Sequence, residues 1–343
     1  MRSPLVIAHR GASGYRPEHT LPGYRLAIQM GADAVEPDLV CTRDGVLVAR
    51  HENEISGTTD IADRPDLADR RTTRTVNGRE VTGWFTEDLT LAELRTLRAK
   101  ERLPGIRPAN TVYDGRYQVP TLDEVIALVQ RESRRTGRRI GIVPEIKNPT
   151  HFASLGLPVA ERLLATLRRH GLDHPGAPVL IESFETTILR ELATMTRVPL
   201  AQLVDDEEAP YDLVAAGAAT THRDLVTPAG LAEIGTYASW VAPAKDLVLP
   251  RDAAGAIGAP STVVADARAA GLRVVVWTLR QENRYLPANL RVGSDPAAPG
   301  DLAGEVRAFL AAGVDALFAD QPDVVRRTRD ERVRRTATVR AAG

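Results

Sequence analysis

A single cysteine, Cys41, stands in the whole chain. No internal disulfide framework and no cysteine cluster for a metal can be built from it, and it reads as a small buried strand residue. No run approaches the roughly 18 consecutive apolar residues of a membrane-crossing helix, so stable membrane insertion is not expected. Neither sign of charge dominates: 44 lysines and arginines face 45 acids, a net charge of −1. Such a balance creates no global field to gather nucleic acid or an anionic membrane, and any phosphate binding must be local. Aromatic residues make up only 4%, little material for lining a lipid tunnel. Gly11-x-x-Gly14 falls short of a dinucleotide-binding turn. Met1-Arg2-Ser3-Pro4 leads straight into a strand, leaving no room for a signal peptide. As written the chain reads as cytoplasmic; a secreted or periplasmic chain trimmed of its leader would read the same.

What remains is an ordinary globular mixture, 43% hydrophobic and 26% charged over 343 residues, a length that one α/β barrel routinely uses. Leu5–Ala8 is a continuous apolar run, as in a parallel strand covered on both faces. His19–Met30 has helical spacing and stops at Gly31; Ala34–Val40 is a second strand, and Pro37 predicts that sheet pairing ends there. Val46–Ala49 returns as a hairpin strand that delivers His51. Further strands are predicted at Arg139–Glu145, Val179–Glu182, Leu200–Val204, Ser239–Ala242, Arg273–Thr278 and Ala316–Ala319, with helices between them. About eight strand–helix units favour a TIM (β/α)8 barrel, one catalytic domain over residues 1–343. Residues 52–119 break the pattern and predict a small insertion subdomain after the second strand region, set over or beside the strand-end face. Within it Thr90 and Glu93 form a capping box, as Thr121 and Glu124 do after it. The basic run at residues 326–343 reads as a solvated final helix and frayed tail.

The chemistry gathers at strand ends. Glu36 and Asp38 are two apart on one strand, so they share a face, as do Glu145 and Lys147 beside Pro144. Three converging carboxylates repel unless a cation joins them. All-oxygen donors suit one divalent ion, Ca²⁺ in preference, with Mg²⁺ the alternative. His9 and His51 end separate strands, and imidazoles both take and give protons near neutral pH. Arg10, next to Gly11, is a bidentate phosphate ligand, and Lys147 an electrostatic partner for charge building on phosphate. Glu18 orients Arg10, binds a substrate hydroxyl, or is a plain helix N-terminal acid. Together these residues predict phosphodiester cleavage at a cation. His19, His151, His170, His174 and His222 read as structural or surface histidines.

Those residues resemble a known family. His9-Arg10-Gly11-Ala12-Ser13-Gly14-Tyr15-Arg16-Pro17-Glu18-His19-Thr20, Glu36-Pro37-Asp38-Leu39, His51-Glu52, Pro144-Glu145-Ile146-Lys147, Val276-Trp277-Thr278 and Phe318-Ala319-Asp320-Gln321-Pro322 are similar to the ordered blocks of glycerophosphodiester phosphodiesterases, in their long bacterial, calcium-dependent form. The resemblance implies a TIM barrel with an insertion and a metal on Glu36, Asp38 and Glu145. It also implies His9 and His51 as the acid/base pair, and phosphate on Arg10 and Lys147. The substrate would be a small glycerophosphodiester, cut through a cyclic phosphate to sn-glycerol 3-phosphate and an alcohol. A glycerol-phosphate polymer such as teichoic acid, or a lysophospholipid, is the alternative substrate, and a non-catalytic phosphodiester-binding barrel the alternative role. Trp277 is expected to pack on glycerol carbons or simply cap the barrel, Asp320 to cap a turn, and Glu52 stands where the family commonly has aspartate.

Overall fold

The computed structural model describes residues 3–342, with side chains to residue 334. Among the described residues there are thirteen strands: β1 (Leu5–His9), β2 (Ala34–Glu36), β3 (Asp38–Cys41), β4 (Leu47–Ala49), β5 (Thr72–Val76), β6 (Arg79–Gly83), β7 (Gly141–Ile142), β8 (Glu145–Ile146), β9 (Ile181–Ser183), β10 (Leu200–Val204), β11 (Trp240–Pro243), β12 (Arg273–Leu279) and β13 (Ala316–Ala319). Eleven join one sheet, in the order β4-β3-β8-β9-β10-β11-β12-β13-β1-β2-β7. Since β2 and β3 are successive pieces of one stave, as are β7 and β8, this order closes on itself. The result is a parallel (β/α)8 barrel, with β4 as an antiparallel flap on β3.

The prediction that pairing ends at Pro37 is not met. Proline removes one donor, yet the Pro37 carbonyl still accepts the amide of Glu145 at 3.0 Å, and β3 resumes the ladder with β8. The stave is nicked rather than terminated.

Side chains alternate along each stave. Val6 and Ala8 face the helices, while Ile7 joins Ala34, Val143, Leu180, Ala201, Leu203, Trp240, Ala242, Val275, Ala316 and Phe318 inside the barrel. Burying each large apolar side chain is worth about 1.5–3 kcal/mol, so this layer closes the barrel below the site. Two residues further along, the same inward row carries His9, Glu36, Glu145, Glu182 and Trp277. The period-two geometry of the core therefore delivers the polar groups to the carboxyl-end mouth.

Around the barrel, helices start where capping chemistry allows. The Thr121 side chain accepts from the Glu124 amide and Glu124 answers at the Thr121 amide, opening the helix Leu122–Thr136. Thr90 and Glu93 do the same for Leu91–Leu94. Residues 52–119 hold the β5–β6 hairpin, short turns and that small helix. They are tied to the barrel by Asn53, Glu87 and His151, where His151 Nε2 lies 2.8 Å from Glu87.

The basic C-terminal run is less solvated than its composition suggests. It continues the helix Pro322–Ala342, and Arg329, 5% exposed, donates to the Pro4 carbonyl at 2.9 Å and pairs with Asp33. The side chains of Arg335 and Arg340 lie outside the described residues. Among the described residues no helix is long and apolar enough to cross a membrane.

Candidate active site

β1 ends at His9, and the chain turns sharply. Arg10 adopts a left-handed backbone (φ 58°) and Gly11 follows at φ 87°, where a Cβ would meet the backbone of Gly23 and Tyr24 at 3.0 Å. Only glycine fits that crossing. The left-handed turn aims the Arg10 amide at Glu36 Oε2, 2.7 Å away. The Arg10 guanidinium lies 3.1 Å from Glu18 and 3.2 Å from Asp38. Glu18, expected to orient Arg10, to bind a substrate hydroxyl or to be a plain helix acid, lies against Arg10.

His9 and His51 line one cleft with Arg10, Glu36, Glu145, Lys147, Glu182, Phe184, Trp277 and Arg280. Each imidazole is held from behind. His9 Nδ1 donates to Asp320 Oδ1 at 2.6 Å, and His51 Nδ1 to Glu52 Oε1 at 2.5 Å. That leaves Nε2 of both rings as the nitrogen available to a ligand. Burial, reinforced by Arg10, lowers the pKa of His9 to about 4. Burial with Arg10 and Lys147 lowers that of His51 to about 3. Burial and the neighbouring cations thus favour the uncharged form of both rings.

Across the cleft stands an acid cluster. Carboxylate oxygens of Glu36, Glu145 and Glu182 all lie within 4.8 Å of one another, and all three residues are buried. Both oxygens of Glu182 are buried without a hydrogen-bond partner. Burial and the neighbouring acids push Glu36 and Glu182 well above the usual carboxylate range, and burial raises Glu145 to about 8. Such an all-carboxylate donor set, crowded together and with both Glu182 oxygens unpartnered, fits a hard divalent cation.

Of the expected ligands Glu36, Asp38 and Glu145, the first and third meet in this cluster. Asp38 faces the cations: its Oδ2 is 2.9 Å from His19 Nε2 and 3.2 Å from Arg10, and its Oδ1 is 3.9 Å from Lys147 Nζ with no hydrogen bond. Although burial opposes ionisation, Lys147, Arg10 and His19 hold Asp38 well below its ordinary pKa. Lys147 also contacts Glu145 Oε1 at 2.6 Å. His19 is fully buried between Asp38 and Tyr24, as a structural histidine should be.

Glu182 escaped the reading of the sequence, and Asp320 was expected only to cap a turn. Glu182 sits in the middle of β9, two residues after the core residue Leu180, and that inward alternation was the available signal. Asp320 does more than cap a turn, since it anchors His9 and accepts from Arg107 and Arg280. Trp277 donates Nε1 to the Ala242 carbonyl at 2.7 Å and packs edge-on to Phe184 at 5.5 Å, forming one wall of the cleft.

A family model described as the glycerophosphoryl diester phosphodiesterase family matches residues 9–324. The chain belongs to that family. Two curated glycerophosphodiester phosphodiesterases resemble it along two thirds or more of their length. One from Arabidopsis thaliana is 34% identical over 329 residues, 92% of this chain and 83% of that protein. One from Bacillus subtilis is 32% identical over 246 residues, 70% of this chain and 68% of that protein. A solved putative glycerophosphoryl diester phosphodiesterase from Silicibacter pomeroyi superposes with a TM-score of 0.66 at 23% identity, covering 96% of this chain and 95% of that one. An Oleispira antarctica phosphodiesterase, solved with its product sn-glycerol-3-phosphate, gives 0.61 at 20% identity over 96% and 97%. At those identities the two structures speak for the fold. In this glycerophosphoryl diester phosphodiesterase family member, His9 opens the matched region and the barrel's last strand falls inside it.

Proposed function

We propose that the chain hydrolyses glycerophosphodiesters to sn-glycerol 3-phosphate and an alcohol, using His9 and His51 as the acid/base pair beside one divalent cation, Ca²⁺ in preference to Mg²⁺. The observation that carries this reading is a single cleft with two functions built into its walls. One wall has two imidazoles, each fixed through Nδ1 by a carboxylate, and the other has a cluster of buried acids in which both oxygens of Glu182 lack a hydrogen-bond partner.

Glu36, Glu145 and Glu182 would hold the cation, with Asp38 offering Oδ1 from the adjoining piece of the same stave. When bound, the ion would neutralise phosphate charge. Arg10, braced by Glu18 and Asp38, presents its guanidinium to phosphate oxygens, and Lys147 adds a second positive charge. Trp277 offers its face to the glycerol carbons. One neutral imidazole takes the proton from the glycerol hydroxyl that attacks phosphorus. The other gives its proton to the departing alkoxide as the P–O bond breaks. The bound phosphodiester anion favours imidazolium on that second ring, offsetting the burial that keeps it neutral beforehand. Water then opens the cyclic phosphate with the two roles reversed.

The test is a panel of glycerophosphodiesters coupled to sn-glycerol 3-phosphate detection, with a glycerol-phosphate polymer and a lysophospholipid as further arms. Turnover of glycerophosphocholine or glycerophosphoethanolamine, lost in EDTA and restored by Ca²⁺, is expected. Turnover confined to the polymer or the lipid, or indifferent to chelation, would overturn the reading.

A further inference from the structure

Two arginines of the insertion, Arg102 and Arg107, reach the barrel mouth from opposite ends of one short loop. Arg102 grips two carboxylates at once. Its Nε and Nη2 meet Glu18 at 2.7 Å each, its Nη1 meets Glu52 Oε1 at 2.7 Å, and Nη2 also contacts Glu52 Oε2. Glu52 Oε1 is the same atom that accepts His51 Nδ1. Arg107, buried, donates from Nη2 to Asp320 Oδ2 at 2.6 Å, from Nε to Glu282 at 2.6 Å and from Nη1 to the Ser13 carbonyl at 3.0 Å. Asp320 is the group that accepts His9 Nδ1. Each carboxylate behind an imidazole is therefore clamped by one arginine from outside the barrel.

We infer that Arg102 and Arg107 are positioning residues for the hydrolysis, setting His51 through Glu52 and His9 through Asp320, so that the insertion fixes the acid/base pair. The inference rests on His9 and His51 being that pair. Arg102 meets Glu52 with two N–H groups, and such a bidentate fork restrains both position and plane of a carboxylate, which a lone ammonium does not; Arg107 meets Asp320 through Nη2 alone, beside Arg280 Nε at 2.9 Å on the same oxygen. A carboxylate freed to rotate lets the ring swing, and misplacement of about 1 Å can cost about a hundredfold in rate.

The experiment measures R102Q, R102K and R107Q on two substrates, glycerophosphocholine and a glycerophosphodiester of p-nitrophenol, whose leaving group needs little protonation. Expected are kcat losses of about 10- to 100-fold on glycerophosphocholine, with Ca²⁺ affinity within about twofold and the far-UV spectrum unchanged; KM should stay within about twofold in R107Q, whereas the Arg102 variants also release Glu18 behind Arg10 and should raise it. R102K, which keeps the charge but loses the fork, should restore less than half of the lost rate. For the arginine serving the general acid, the defect should shrink on the nitrophenyl substrate, while the defect of the other persists. Wild-type kcat in R102Q, or equal losses on both substrates in both arginine variants, would overturn the inference. If R107Q does not fold, R102Q and R102K decide alone. Should His9→Ala and His51→Ala themselves stay active, the acid/base reading has failed rather than the clamp.

Discussion

Glu36 and Asp38 flank Pro37 and live in opposite electrostatic surroundings. Glu36 lies among acids and is pushed well above its ordinary pKa, whereas Asp38 lies among Lys147, Arg10 and His19 and is held well below. One nicked stave thus sends one acid into the carboxylate cluster and the other among the cationic side chains of the cleft. Glu182 belongs wholly to the carboxylate cluster, with two buried oxygens lacking hydrogen bonds. Removing its charge should weaken cation binding without disturbing Arg10. Glu182→Gln is expected to lower Ca²⁺ affinity at least about tenfold, the scale seen when metal-site partners are lost. Calorimetric titration of EDTA-stripped protein measures this, and an unchanged affinity would remove Glu182 from the site.

The two histidines should fail differently from the acids. His9→Ala and His51→Ala each delete one proton-transfer group while leaving Glu36, Glu145 and Glu182 intact. Turnover should drop about 10²–10⁴-fold on alkyl glycerophosphodiesters. Ca²⁺ affinity, read in the same titration, should stay within a factor of about two of wild type. Retained turnover in either variant would strip that residue of its role.

The barrel was legible because its signals are local. Apolar runs such as Leu200–Val204 and Ala316–Ala319, and the capping boxes at Thr90 and Thr121, coincide with the elements found. His9, Arg10, Glu36 and Lys147 stood out because they sit next to prolines, glycines and strand ends in short runs. The groups behind them did not. Arg102 meets Glu18 across 84 residues, and Arg107 meets Asp320 across 213. No period or spacing in a chain encodes a contact at such separation; only closure of the barrel and folding of the insertion create it. Pro37 misled for the reverse reason, since losing one donor is a local defect that neighbouring staves tolerate.

Glu185 offers a pH test away from the cation. Its Oε2 accepts the Thr150 amide at 3.1 Å, while its Oε1 is buried without a partner. Burial, aided by Asp212, raises its pKa from 4.5 to about 7. A raised folded-state pKa means that this group favours the native state below pH 4.5 and penalises it as pH rises through 7. Glu185→Gln keeps an acceptor for Thr150 and cannot ionise. The variant should gain on the order of 1–3 kcal/mol over wild type at pH 8, and the gain should vanish at pH 4.5. Urea denaturation at the two pH values measures it, and a pH-independent difference would refute the assignment.

The last expectation concerns Asp33 and its partner Arg329 on the final helix, neither of which lines the cleft. Asp33 Oδ2 accepts the Val6 amide at 2.9 Å and pairs with Arg329, while Arg326 and Arg138 approach its other oxygen at 3.6 and 3.7 Å. Arg329 is only 5% exposed, so Asp33→Ala would leave a guanidinium buried with only Asp330 as its remaining acidic partner. Stranding a buried charge costs more than a surface pair contributes, and a loss of about 2–4 kcal/mol is expected. Arg329→Met in the same chain removes the stranded charge and keeps much of its apolar volume, so the double variant should recover most of that loss. Turnover per folded molecule should be unaffected in both, because neither residue lines the cleft. Equal stability of Asp33→Ala and wild type would show that Arg329 reaches water when released, and that the helix is held by its apolar face alone.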